Sequence, residues 1–303
     1  MTLPSSGAIS LNDVNVELGN SATAQISMND AAVRGLFAVA SGAIQMSDGY
    51  GKSNVFAFTI SSTQVNANLR SLAVAAGWDQ STAVEATIGS GVNINGSVAA
   101  NSTAALTIDG SWPGGVTLIN NGSITGRGGN GNNGNVGPYV AAQAGGRALS
   151  VSVAVTIDNQ GTIAGGGGGG GNSSTANYCR DCQMGEDSGC ATVGGNGGGG
   201  GRSNTSYNST GGTGGTSSGV TGNSGAAGTS AAAGAGGAQK CSSSCGSCTC
   251  SVCNQPGGAG GDWGAAGSYG QNANWYGGAA GQAVNGNSNI TWTNTGTRLG
   301  TIV

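Results

Sequence analysis

The clearest alternation of apolar and polar positions begins at Val55-Phe56-Ala57-Phe58-Thr59-Ile60 and reads as a β-strand. Shorter apolar runs at 84–88, 92–94 and 106–108, each bounded by Gly, Asn or Ser, predict further strands of a β-rich domain over residues 55–126. Residues 68–76 have helical spacing instead and run into Gly77, a residue suited to stopping a helix, with Trp78 placed to fold back on it. Upstream, residues 1–54 carry one short motif three times, as Ile9-Ser10-Leu11-Asn12-Asp13, Ile26-Ser27-Met28-Asn29-Asp30 and Ile44-Gln45-Met46-Ser47-Asp48. Two apolar residues two apart, then an acid, predict a short extended piece leading into an Asp-capped turn or helix. So small a unit has little core of its own and is expected to be an attachment module.

A longer repeat frames the rest of the chain. Val116-Thr117-Leu118-Ile119-Asn120-Asn121-Gly122-Ser123-Ile124-Thr125-Gly126 shares its Val, Thr, Asn, Ile and both Gly positions with residues 155–165. A third copy at 290–300 keeps the Thr, the Asn and the two glycines. Strand, Asn-x-Gly turn and strand is the expected form, the turn glycine supplying a positive φ. The copies read as a β base from which the intervening segments project, with residues 127–303 forming a glycine-rich body closed by a C-terminal β segment.

Composition changes the picture of that body. Glycine occupies 64 of 303 positions, aromatic residues make up 5% and charged residues 7%, against about 25% charged in an ordinary domain, so one conventional core does not organise the whole length. Four prolines and unbroken glycine runs such as Gly165 to Gly171 and Gly197 to Gly201 exclude a collagen repeat. A flexible linker is one reading of these runs. The other is order without side chains, in which extended three-residue-per-turn glycine helices pack laterally and satisfy one another's N–H and C=O groups. The formal charge is −3, and the nine Lys and Arg are scattered singly from Arg34 to Arg298, which speaks against nucleic acid. No run of about 18 apolar residues could span a bilayer. Met1 to Ser6 lacks a basic segment leading into an apolar one, which argues against classical secretion.

The segments Leu3-Pro4-Ser5-Ser6-Gly7, residues 9–19 and Ser47-Asp48-Gly49-Tyr50-Gly51-Lys52-Ser53 resemble the N-terminal part of tailed-bacteriophage tail proteins. Residues 68–79, then Asn120 to Ile124 and Asp158 to Ile163 leading into polyglycine, resemble the glycine-rich tail-fibre tip adhesins of such phages. The resemblance implies a mainly β protein: a virion attachment module (1–54), a β-rich domain (55–126) and a polyglycine-II-like tip (127–303) whose loops touch the host. It implies other tail proteins and a bacterial surface receptor, protein or glycan, as partners, a place at the distal tail of the virion, and no enzymatic role. Homo-oligomerisation stays open. A purely structural tail component and a glycan depolymerase are the competing readings.

Eight cysteines form two clusters, Cys179, Cys182 and Cys190, then Cys241, Cys245, Cys248, Cys250 and Cys253. Their Cys-x-x-Cys spacings suit Zn2+ or an iron–sulfur cluster, and their even number suits disulfides. Either would staple loops, and the spacing does not decide between them or free thiols. Receptor contact is expected of Tyr178, Tyr207, Trp263, Trp275 and Tyr276, because Tyr and Trp give large contact area at small entropic cost. Trp292, within the β repeat, is expected in the core. The chain has no histidine, so Ser-His and Cys-His nucleophile pairs are excluded. Asp79, Glu85, Asp109, Asp158, Glu186, Asp187 and Asp262 are the acids available for glycan hydrolysis, most of them at turn positions. Gly49-Tyr50-Gly51-Lys52-Ser53 lacks a P-loop's first glycine, since Met46 stands there.

Overall fold

The computed structural model describes residues 2–99, 102–134, 141–174, 176–177, 192–217, 220–242, 252–270 and 276–303. The chain forms two compact units, Met1–Phe58 with Ala73–Ala86 and Trp112–Thr117, and Thr59–Leu72 with Thr87–Ser111 and Leu118–Val303. Among the described residues no helix is long and apolar enough to cross a membrane.

In the first unit the threefold motif builds three copies of one device. The carboxylates of Asp13, Asp30 and Asp48 each accept the backbone N–H three residues back, from Ser10, Ser27 and Gln45, at 2.8 Å each. Each bond closes the entry to a helical turn: α1 (Leu11–Glu17), α2 (Ala31–Phe37) and a 3-10 turn, Met46–Gly49. The Asp is the capping residue itself only at α2; at the other two it sits inside the first turn, where its charge also favours the helix N-terminus. The motif's apolar residues, Ile9, Ile26, Met28, Ile44 and Met46, pack half-buried around a core of Leu3, Val14, Val33, Leu36 and Phe37. Gly49 lies flat against the Phe37 ring, where an added Cβ would stand 2.6 Å from the nearest ring atoms.

The β structure is a coil of three-strand turns. The first strands are β1 (Val55–Ile60), β2 (Gln64–Val65) and β3 (Ala67–Asn68), and the next turn is β4 (Ala83–Ile88), β5 (Asn93–Asn95) and β6 (Ala104–Ile108). Then come β7 (Val116–Asn120), β8 (Ser123–Thr125), β9 (Arg147–Val151), β10 (Val155–Asn159) and β11 (Thr162–Ala164). The coil resumes near the C-terminus with β18 (Gln282–Asn285), β19 (Ile290–Asn294), β20 (Thr297–Leu299) and β21 (Thr301–Ile302). Three sheets result, in the orders β1-β4-β7-β10-β19, β2-β5-β8-β11-β20 and β3-β6-β9-β18-β21. Pairing in the second and third is parallel.

Parallel register stacks like on like. Ile94, Ile124 and Ile163 form one aliphatic column, and Leu106, Leu149 and Val284 another, all fully buried. The last turn ends the columns differently. Trp292, in register with buried Ile157, is half-buried, with the Arg298 guanidinium 4.7 Å over its ring and its Nε1–H donated to Asn287.

The eleven-residue repeat does not form a hairpin. Its two strands belong to different sheets, so the Asn-x-Gly element is a corner of the coil. Gly122 and Gly161 do not have positive φ; of the three corner glycines only Gly296 does, at 49°. They are glycines because the coil turns stack too closely for a side chain: a Cβ at Gly122 would lie 2.3 Å from the Val92 carbonyl, and one at Gly161 would lie 2.0 Å from the Gly122 carbonyl. Beside them the buried Asn120 amide donates to Asn159 at 2.7 Å, and Asn159 donates to the Thr295 carbonyl at 2.7 Å, linking corner to corner. The expected helix is present as α3 (Leu69–Ala75), begun by the Asn68 side chain accepting from the Ser71 N–H. Gly77, at φ 105°, stops it, and Trp78 returns its amide to the Ala73 carbonyl and stacks on Trp112 at 4.8 Å.

Two glycines of the first unit should respond in opposite directions. Gly35→Ala, on an exposed face of α2 where a Cβ meets nothing within 4 Å, is expected to stabilise the protein by about 0.5–1 kcal/mol. Gly49→Ala is expected to destabilise it by displacing Phe37, and paired thermal melts measure both.

Candidate functional site

Two long excursions leave the coil at the same corner, between its second and third sheets: residues 126–146 after β8, and residues 165–281 after β11. Their glycine segments are bonded to one another through the backbone. In the run from Gly165 to Gly171 the amides take three directions in rotation. Gly165, Gly168 and Gly171 donate to Leu299, Ala265 and Ser268; Gly166 and Gly169 to Gly146 and Gln143; Gly167 and Gly170 to Arg202 and Gly199, all at 2.7–3.0 Å. A three-residue period therefore gives each segment neighbours on every side.

No Cβ fits between them. At Gly166, Gly167, Gly168, Gly169 and Gly170 an added Cβ would stand 1.9–2.0 Å from a neighbouring carbonyl oxygen, inside any real contact distance. The composition is thus a steric requirement, and the linker reading of these runs does not hold where every amide is engaged.

At the coil end the turn 204–208 is pinned down: the buried Asn204 amide donates to the Gly96 carbonyl at 2.7 Å, and Asn95 donates to Ser206 at 2.7 Å. The Arg127 guanidinium lies 6.0 Å from the Tyr207 ring centroid. At the turn 262–264, Arg202 pairs with Asp262 at 2.8 Å and stacks on Trp263 at 5.4 Å, while Gly264 packs against the backbone of Gly300.

The opposite end is a layer of asparagines. Asn172 donates to the Asn133 carbonyl at 2.6 Å, and the Asn133 side chain accepts from the Thr213 amide at 2.9 Å. Asn196 donates to the Gln255 carbonyl and accepts from the Asn223 amide, both at 2.7 Å. Asn254 donates to the Gly194 carbonyl at 2.6 Å, accepts from the Lys240 amide at 2.7 Å and faces the Asn196 amide. Asn172, Asn196 and Asn254 are fully buried. Glycine has no side chain with which to close a segment end, and the asparagines supply both donor and acceptor there.

Short ribbons rise at this layer. One sheet has the order β12 (Ala176–Asn177), β13 (Thr192–Val193), β15 (Val220–Thr221), β14 (Thr216–Ser217). A second ribbon pairs β16 (Cys241–Ser242) with β17 (Val252–Cys253), and β17 lies beside β12 and β13. The described residues on either side of 135–140, 178–191, 218–219, 243–251 and 271–275 lie at this layer.

The sequence candidates divide between the two ends. Tyr276 is at the asparagine-layer end, 44% exposed and edge-to-face with the 65% exposed Tyr269 at 5.7 Å. Tyr207 and Trp263 are at the coil end. Tyr178, Trp275, Glu186, Asp187 and Cys179, Cys182, Cys190, Cys245, Cys248 and Cys250 lie outside the described residues. For Cys241 and Cys253 the backbone alone is described. Tyr269 beside Tyr276 and the asparagine layer are not among the sequence candidates; the signal for the layer is an Asn at the end of one glycine segment after another.

A parallel coil that holds a glycine lattice, its near turns pinned to the coil and its far end closed by an asparagine layer, has the build of a display scaffold, the class of an adhesin. Residues 55–303 match the family model described as "Phage tail fibre adhesin Gp38", and the chain belongs to that family. It is a host-receptor-binding tail fibre protein of a bacteriophage. The fold is similar to that in "Crystal structure of the gp37-gp38 adhesin tip complex of the bacteriophage S16 long tail fiber", with a TM-score of 0.55 and 24% identity over 98% of this chain and 99% of that one. No curated protein matches the chain.

Two kinds of substitution test the lattice. Gly168→Val and Gly199→Val, each forcing a Cβ to within about 2 Å of a neighbouring carbonyl, are expected to abolish the protease-resistant glycine-rich body in limited proteolysis. Asn254→Ala leaves the Gly194 carbonyl and the Lys240 amide without that partner. At about 1–3 kcal/mol for each buried group left unpaired, a melt should register the loss readily.

Proposed function

We propose that the asparagine-layer end of the lattice meets the bacterial receptor, that the glycine segments act as polyglycine helices holding that end rigid, and that residues 1–54 join the protein to another tail protein at the distal tail of the virion. The observation that carries this reading is that, among the described residues, those flanking 135–140, 178–191, 243–251 and 271–275 lie at that layer. Rigid presentation lowers the entropy lost on binding. Tyr276, Tyr178 and Trp275 belong to connections at that end and are the proposed contacts, with Tyr269 added beside Tyr276. Tyr207 and Trp263 serve instead to hold the turns against the coil. The similar S16 structure is a gp37-gp38 adhesin tip complex, and the gp37 partner there supports a fibre protein as the partner here.

Binding without hydrolysis is the reading favoured by the acids. A glycosidase needs one carboxylic acid with a raised pKa. Asp79 is held well below the ordinary carboxylate range by hydrogen bonds from Ser81 and Thr82, and Asp262 is lowered chiefly by its hydrogen bond from Arg202. Asp109 and Asp158 accept from Asn68 and Gln160. The ribbons bearing the two cysteine clusters are neighbours, which supports cross-linking within this layer by disulfide or metal.

Exchange of residues 135–140, 178–191, 243–251 and 271–275 for those of a relative with another host is expected to transfer binding of the isolated protein to that host's cells. Unchanged binding would move the receptor site elsewhere. A chain lacking residues 1–54 should still bind cells yet be missing from assembled virions, as read by immunoblot of purified particles; normal incorporation would remove the attachment role.

A further inference from the structure

The ribbon β16–β17 carries a pairing that the cysteine spacing does not reveal. Its strands are antiparallel, with Cys241 opposite Cys253 and Ser242 opposite Val252. One rung further out, the Asn254 amide donates to the Lys240 carbonyl at 2.9 Å. The Lys240 amide turns instead to the Asn254 side chain, so 240/254 keeps one bond of a hydrogen-bonded rung, and because such rungs alternate along an antiparallel ladder, 241/253 is a non-hydrogen-bonded one. Opposed Cα atoms at these rungs are about 4.5 Å apart, within the roughly 4.4–6.8 Å over which a disulfide closes without backbone movement.

We propose that Cys241 and Cys253 are joined by a disulfide that seals the base of the connection 243–251. The ribbon needs a closure of this kind. Two strands of two residues each are too short to persist alone, and Asn254 anchors one of them to the Gly194 carbonyl through its side chain. A cross-link beside that anchor passes its fixity to the other strand. The spacing Cys250-x-x-Cys253 suggests a local metal or redox pair, and the register assigns Cys253 a different partner.

The oxidant is a low-molecular-weight disulfide. One cysteine thiolate attacks it, forming a mixed disulfide and expelling one small thiolate; the second cysteine thiolate attacks the mixed disulfide and expels the other. Two protein thiols and one small disulfide become one protein disulfide and two small thiols, and the two electrons lost by the protein are gained by the reagent.

The test uses the full chain equilibrated with oxidised glutathione, its free thiols alkylated, then digested with pepsin at acid pH, where exchange is suppressed. Mass spectrometry is expected to find Cys241 and Cys253 in one linked species, lighter by two hydrogens than the sum of its thiol peptides and split by reductant. Cys241→Ser and Cys253→Ser should each expose one new alkylatable thiol, and the double variant none. Alkylation of both cysteines in the oxidised wild-type protein would overturn the assignment. So would linkage of either to a different cysteine, or stoichiometric zinc lost in both single variants. The wild-type digest decides the matter even if a variant fails to fold.

Discussion

Everything in the glycine-rich body depends on a distance of about 2 Å: that from the place a Cβ would occupy to the nearest neighbouring carbonyl oxygen. Segments that approach so closely cannot carry side chains, and a body without side chains cannot be held by apolar burial. What holds it is the obligation of each backbone N–H to find an acceptor once water is excluded. Three residues per turn aims successive amides at successive neighbours, so a single run such as Gly165 to Gly171 ties together segments drawn from 143–146, 199–202 and 265–268. Few bonds in it are local in sequence. The coil is the counterpart, an interior of stacked Ile and Leu columns, and both excursions spring from one of its corners.

Much of the coil is legible in the amino-acid sequence. Alternation marks β1, the glycine stop and Trp78 mark α3, and the three copies of the eleven-residue repeat fall on successive turns. What the sequence misrepresents is the corner. Asn-x-Gly is the usual mark of a hairpin, and in a hairpin the glycine answers a demand on φ. Here the demand comes from the preceding turn of the coil, Val92 for Gly122 and Gly122 for Gly161, and local pattern carries no information about such a neighbour. The same holds for Trp292: the repeat places it in a core column, while its position on the last turn leaves that column open and Arg298 covers it.

The candidate contacts were legible as a residue type and not as a place. Glycine segments alternate in direction, so successive connections fall at opposite ends of the lattice, and Tyr207 and Trp263 follow segments running back toward the coil. Composition does not record direction. The asparagines do, since Asn172, Asn196, Asn223 and Asn254 stand at the ends remote from the coil, where backbone groups require side-chain partners. Cysteine spacing was silent in a similar way. Cys-x-x-Cys reads along the chain, whereas the opposition of Cys241 and Cys253 runs across a ribbon.

A lattice whose buried surface is mostly peptide has an unusual thermal character. Exposing apolar surface raises the heat capacity on unfolding, and exposing polar surface lowers it. In an ordinary domain the first effect dominates, so stability is a strongly curved function of temperature that weakens in the cold as well as in the heat. In the glycine body the second effect offsets the first, and the curve flattens. Its stability correspondingly changes less with temperature, a useful property for a surface that must engage its target in whatever water the two happen to meet.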